Sequence, residues 1–156
     1  ASGFGMKVLA YDPFVKELPE EFQSYVTLCG ENEVISGCDF LSLHLPLNDE
    51  TRNMISAPQL ASMKAGAYVI NAARGGIVNE KDLYEALVSG HIAGAAMDVS
   101  EVEPMAKENP LRTLDNVIIT PHIGMYSKEA IGAVSLICAQ NVAACAAGAE
   151  LKFQVV

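Results

Sequence analysis

Arg74 stands in Asn71-Ala72-Ala73-Arg74-Gly75-Gly76, at the end of an apolar run and directly before two glycines. A planar guanidinium there can grip a carboxylate or phosphate through paired hydrogen bonds, and glycine lets backbone come close to a ligand. The ordinary alternative is an arginine that simply ends in water. His122, in Thr120-Pro121-His122-Ile123-Gly124, follows another apolar run and a proline that fixes the turn. Imidazole titrates near neutral pH, so it can take and return a proton, and a neighbouring carboxylate raises its pKa. Glu103 is the candidate carboxylate, although spacing alone does not bring the two side chains together. His44 competes with His122 for the same role, and composition does not rank them. Asp12 closes Lys7-Val8-Leu9-Ala10-Tyr11-Asp12, where an acid either accepts from the hydroxyls of a nucleoside ribose or makes a turn.

These residues share one placement. Short apolar runs over residues 6–12, 25–28, 40–44, 67–72, 92–99 and 116–120 alternate with capped or amphipathic segments, which predicts a β-α-β order. The runs show no clear two-residue alternation and so predict strands buried on both faces. Ser56 with Pro58 and Gln59 has the capping-box spacing, and Asn79 caps a second helix over 80–89. Leu83 and Leu87 lie one turn apart on that helix, and Gly90 ends it. A short helix over 32–36 is expected to stop at Gly37, and a long one to begin near Ser127. The fold expected is a doubly wound, Rossmann-like α/β parallel sheet. In such a sheet every residue just past a strand's C-terminal end lies along one ligand-binding edge. Asp12, His44, Arg74, Asp98, Glu103 and His122 all fall there. His91 precedes its strand and falls at the opposite edge, where a structural role is expected.

Composition narrows the partners. The 156 residues carry ten Lys+Arg against nineteen Asp+Glu, a formal net charge of −9, which argues against nucleic acid and anionic membrane surfaces. Cys29, Cys38, Cys138 and Cys145 show neither C-x-x-C nor a nearby His at metal-ligand spacing, so no metal site is indicated and a reducing cytoplasm fits. Residues 130–149 carry no formal charge, yet they are mostly Ala, Gly and Cys with Ser135, Gln140 and Asn141 among them. A buried or interface helix is expected there rather than a membrane span.

Tyr11-Asp12-Pro13, His44-Leu45-Pro46-Leu47, Asn71-Ala72-Ala73-Arg74-Gly75-Gly76-Ile77-Val78, Ala95-Ala96-Met97-Asp98-Val99, Glu103-Pro104 and Thr120-Pro121-His122-Ile123-Gly124 occur in this order. Together they resemble the D-isomer-specific 2-hydroxyacid dehydrogenases, from about Phe4 to the C-terminus. The resemblance implies Arg74 as anchor of the substrate carboxylate, His122 as acid/base and Glu103 as the carboxylate that orients and charges it. It implies NAD as cofactor, with Asp12 on the ribose, Asp98 on the nicotinamide carboxamide, and His44, Leu45, Pro46, Ala72, Ala73, Arg74, His122 and Gly124 along the cofactor. An acid at Asp12 without an arginine after it favours NAD over NADP. Glu103 separates the chain from the formate dehydrogenase branch, which has Gln at that place. Phosphoglycerate dehydrogenases look nearest within the family, although reductases of other 2-oxo acids share the motifs. Met125 and Tyr126 depart from the small residues common after the His motif, and Asn79 stands where Asp is common. A homodimer through the nucleotide-binding domain is expected. The competing reading is an NAD(H)-sensing regulator similar to the corepressors that keep the same Arg, Glu and His.

The glycine-rich G-x-G-x-x-G loop belongs roughly twenty residues before the ribose acid. Only eleven residues precede Asp12, and Gly3-Phe4-Gly5 reads as a helix end leading into the strand. By resemblance, the chain lacks a substrate lobe, the first strand and that loop. Residues 1–125 would form the NAD-binding portion and 126–156 a helix and tail returning toward the lobe. In strand order 3-2-1-4-5-6 the absent strand falls between those ending at Asp12 and His44. The chain alone is therefore expected to expose unpaired edges, to bind NAD poorly, to be inactive and to aggregate or swap.

Overall fold

The computed structural model describes residues 1–152, in two compact units, Ala1–Pro121 and His122–Val156. All six expected strands form, each shorter than its apolar run: β1 (Val8–Ala10), β2 (Val26–Leu28), β3 (Phe40–Leu43), β4 (Ala67–Asn71), β5 (Ile92–Met97) and β6 (Val117–Ile119). All pairings between them are parallel. They make two sheets, β1-β2 and β3-β4-β5-β6.

The helices follow their caps. In α1 (Glu31–Gly37) the helix ends at Gly37 as expected, but Gly37 is its last helical residue and takes no left-handed turn. Its missing Cβ matters for packing instead, because a methyl there would sit 3.0 Å from Leu9 Cδ1. In α2 (Ala57–Ser62) Gln59 Oε1 accepts from the Ser56 hydroxyl at 2.9 Å and from its N–H at 3.4 Å, within the Ser56–Gln59 capping box that the spacing predicted. In α3 (Glu80–Val88) Asn79 Oδ1 caps the Asp82 N–H at 3.0 Å, Leu83 and Leu87 are buried, and Gly90 leaves with φ 76°. Ser2–Phe4 is a single 3-10 turn closed by left-handed Gly5, which then feeds β1.

One face of the four-stranded sheet holds the core. Leu41 and Leu43 of β3, Val69 of β4, Ala95 and Met97 of β5 pack with Ile35, Leu60, Leu83 and Leu87 from the three helices. The opposite face stays open. Register aligns Phe40, Tyr68 and Gly94 across it, with Ile118 one row on, and Phe40 and Ile118 are 52% and 68% exposed. Phe40 stacks on Tyr68 at 5.1 Å, and the Tyr68 ring lies where a Cβ on Gly94 would be, at 2.9 Å. Burial on both faces, expected from the strand pattern, is therefore corrected. These strands are apolar on both sides, but the helices α1 to α3 cover only one.

The second unit is a left-handed turn at His122 followed by α4 (Lys128–Ala146). Ser127 caps it, its hydroxyl accepting from the Ala130 N–H at 3.0 Å. The helix is long and apolar enough by composition to cross a membrane, and none of its residues is buried. Of the buried or interface helix expected, the buried alternative is not realised within this chain, since Val134, Leu136 and Val142 are all exposed.

Candidate functional site

The site is assembled at the C-terminal ends of β3 to β6. After β4 the chain turns through Asn71 to Arg74, and Asn71 is fully buried although polar. Its Oδ1 accepts from the Ala73 N–H at 3.1 Å while its Nδ2 donates to the Arg74 carbonyl at 2.9 Å. Both ends of one amide thus bracket the turn that exposes Arg74, and a buried amide with its partners satisfied is a rigid support. Sequence reading named Arg74 and passed over Asn71. The signal available was the Asx-turn habit of Asn at a strand end, but nothing in the sequence shows that this one is buried.

The turn after β4 also touches the loop after β5. A Cβ on Gly75 would lie 1.8 Å from the Ser100 carbonyl oxygen, closer than any two atoms can approach without a bond. Gly75 was expected to let backbone approach a ligand; the approach observed is to Ser100 of the same chain. Gly76 holds φ 83°, which any side chain resists. Beyond Ser100, the Ser100 N–H donates to Glu103 Oε1 at 3.3 Å and the Ser100 hydroxyl to the Val102 carbonyl at 2.8 Å. Arg74 and Glu103 are thereby carried on loops pressed together at Gly75 and Ser100. The Arg74 head is exposed and folds back on the Ala73 carbonyl at 2.6 Å. Glu103 is followed by a cis bond to Pro104.

Asp98 lies between these loops and β6. Its N–H donates to the Asn71 carbonyl at 2.9 Å, and its Oδ1 accepts from the Thr120 hydroxyl at 2.5 Å. At the end of β3, His44 is exposed and its Nε2 meets Ser42 Oγ at 2.8 Å. The Leu45–Pro46 segment that follows is shaped by Thr51, whose hydroxyl donates to the Pro46 carbonyl at 2.7 Å and accepts from the Asn48 N–H at 2.8 Å. Thr51 was another residue the sequence reading missed.

Asp12 sits at the end of β1, in the other sheet. Its Oδ1 accepts from the Phe14 N–H at 2.8 Å, so the turn role left open by the sequence is realised. Asp12 is exposed, and a carboxylate has acceptors enough beyond this bond to serve a diol. His122 opens the second unit with φ 53°, a left-handed backbone that non-glycine residues rarely hold and that recurs at functional positions. His91, by contrast, precedes β5 at the far edge, where its carbonyl accepts from the Gly66 N–H and its Nε2 is buried without a hydrogen-bond partner among the described residues.

Among the described residues no cluster of His, Cys, Asp and Glu could hold a metal, and the four cysteines are free thiols. Burial raises the Cys38 and Cys29 thiols above their ordinary range, which makes them poorer nucleophiles.

Residues 1–124 match the family model of the D-isomer specific 2-hydroxyacid dehydrogenase, NAD binding domain. The chain belongs to this family. It is 45% identical over 142 residues to a D-3-phosphoglycerate dehydrogenase of Methanocaldococcus jannaschii, covering 91% of this chain and 27% of that one. The fold matches a D-lactate dehydrogenase with NAD+ from Lactobacillus jensenii with a TM-score of 0.87 and 34% identity, over 99% of this chain and 50% of that one. A glyoxylate reductase from Paecilomyes thermophila gives a TM-score of 0.90 at 32% identity, over 99% and 46%. This member of the family thus spans about a quarter of the dehydrogenase it resembles in sequence and half of those it resembles in structure. The Rossmann-like α/β class and NAD as the cofactor of the domain follow from these matches.

Proposed function

We propose that the protein carrying this domain transfers a hydride between NAD and C2 of a D-2-hydroxy acid or its 2-oxo form, with D-3-phosphoglycerate as first candidate. The observation that supports it most is the Gly75–Ser100 contact, which carries the anchor Arg74 and the carboxylate Glu103 on loops in direct touch. Arg74 holds the substrate carboxylate in a paired hydrogen bond and polarises the oxygen on C2. His122 removes the hydroxyl proton in oxidation and returns it in reduction, and Glu103 orients the ring. Asp12 accepts from the adenosine ribose hydroxyls, and Asp98 accepts from the carboxamide. The backbone of Leu45–Pro46, Ala72–Ala73 and Gly124, with His44, lines the same path. When bound, NAD supplies the hydride acceptor, and NADH the donor, at nicotinamide C4.

Residues 1–125 serve as the NAD-binding portion in this reading and 126–156 as the C-terminal helix and tail. A cytoplasmic homodimer with small-molecule partners, and neither nucleic acid nor membrane, completes the proposal. Steady-state assay of the intact protein with NADH against glyoxylate, hydroxypyruvate, phosphohydroxypyruvate and pyruvate tests it. Turnover on one of these should fall at least about a hundredfold in Arg74→Ala and in His122→Ala, since each removes a group engaged at the reacting carbon. Tight NADH binding with no turnover on any 2-oxo acid would replace the reading with a sensor.

A further inference from the structure

Glu103 lies on the connection over residues 101–109, between the buried Ser100 and the buried Leu111. Most of that connection is exposed, Glu101 to Pro104 included, and an exposed loop drifts unless its ends are fixed. One side chain fixes both ends. Glu80 Oε1 accepts from the Glu101 N–H at 2.6 Å, and Glu80 Oε2 accepts from Asn109 Nδ2 at 2.6 Å. The Glu80 N–H donates in return to Glu101 Oε1 at 3.1 Å, so the near end is tied twice.

Each anchor of this strap is itself held. Glu80 is the first residue of α3, which Asn79 caps and whose Leu83 and Leu87 are buried. Asn109 caps the 3-10 turn Pro110–Thr113, its Oδ1 accepting from the Leu111 N–H at 3.0 Å. That bond settles which end of the amide faces Glu80. Both donors to the Glu80 side chain are N–H groups, so the strap asks of the carboxyl group only that its two oxygens accept. Glu103 comes just past the near tie, and its Oε1 accepts from the Ser100 N–H at 3.3 Å. Joining the ends of a loop removes conformations from everything between them, and a group that serves a reacting centre has to be held to within about half an ångström.

We propose that Glu80 is a positioning residue for the reaction: by strapping Glu101 to Asn109 it holds the loop that presents Glu103. This rests on the dehydrogenase reading of Glu103 and deepens it. It gives a task to a residue that touches neither substrate nor cofactor in that reading.

The test exchanges the polarity of the strap in the intact protein. Turnover of a 2-oxo acid and calorimetric binding of NADH are read at about pH 8, above the ordinary carboxyl range, at a temperature where each variant is folded. Asn109→Asp keeps the acceptor for the Leu111 N–H and sets an acceptor against Glu80; Glu80→Gln keeps an acceptor for the Glu101 N–H and sets a donor against Asn109. Each alone should lower kcat about tenfold while NADH affinity holds, since misplacement by an ångström costs up to about a hundredfold in rate. Glu80→Gln combined with Asn109→Asp lets the amide at position 80 donate to the carboxylate at 109, and most of kcat should return. Glu103→Ala should lower kcat as well, and in that background Asn109→Asp should change it little, because the strap acts through Glu103. A combined variant as slow as the single ones, or a loss in Asn109→Asp as large without Glu103 as with it, overturns the inference and leaves Glu80 a structural residue. Failure of both single variants to fold does the same. If Glu103→Ala slows turnover while neither single exchange does, the positioning role falls and the reading of Glu103 stands. If Glu103→Ala turns over as fast as the parent, the reading of Glu103 falls and takes this inference with it.

Discussion

The turn after β4 and the turn after β1 carry their polar residues at the same relative place, just past the C-terminal end of a parallel strand, yet they are held in opposite ways. Arg74 stands on a turn bracketed by a fully buried amide and pressed backbone to backbone on the next loop. Asp12 stands on an exposed turn whose one side-chain bond reaches two residues along its own chain, at Phe14. The first turn takes its shape from the tertiary structure and the second from local sequence. The difference suits the tasks proposed for them. A group that aligns a reacting carbon loses rate when it moves by an ångström, whereas a ribose ligand far from the chemistry contributes affinity and tolerates motion.

The largest test of this contrast is Gly75→Ala. Its Cβ would fall 1.8 Å from the Ser100 carbonyl oxygen, and the obstacle is backbone, so the two loops must separate. A loss of about 4 kcal/mol or more in unfolding free energy is expected from urea denaturation, together with loss of activity. Near-normal stability would show that the loops part easily and would break the comparison. Asn71→Ala is next. It strips the partners from the Ala73 N–H and the Arg74 carbonyl and leaves a small void, which costs about 2–4 kcal/mol. At temperatures where the variant stays folded, KM for the 2-oxo acid should rise more than KM for NADH. If both rise together, the bracket is a fold element without special relation to Arg74.

The smallest effect belongs to Asp12→Ala. Its turn is exposed, so the melting midpoint should move by little, within about 0.5 kcal/mol. NADH affinity should fall about tenfold, the scale of a hydrogen bond to a charged group, and the preference over NADPH should narrow because a repelling charge is gone. A melting shift comparable to that of Asn71→Ala would show that Asp12 is a structural residue after all.

Much of this arrangement was legible beforehand for a physical reason. Strand runs rich in Val, Ile and Leu mark where strands end, and parallel geometry puts every strand end on one edge, so Arg74, Asp98 and Glu103 could be grouped before any coordinates. Asn79 and Ser56 were readable because caps act within a few residues. Asn71, Thr120 and Thr51 were not, because each matters through a partner or a burial that spacing does not reveal. Gly37 and Gly75 were read as backbone devices, a helix stop and a ligand approach. Structure shows that each makes room for a neighbour, Leu9 and Ser100. The face carrying Phe40, Tyr68 and Ile118 was misjudged for a related reason. A strand's composition records that its residues suit burial on both sides, and it does not record which layers the chain provides.

The sequence by itself determined the six strands, their parallel sense, the capped helices between them and the set of polar residues at the strand ends. These follow from short-range rules of periodicity, capping and chirality. Tertiary structure alone decided that one face of the larger sheet is covered and the other open, and that Gly75 meets Ser100 while the Thr120 hydroxyl donates to Asp98. Those are contacts between residues more than twenty positions apart, and their energies depend on distance and burial in three dimensions, which a linear pattern does not carry.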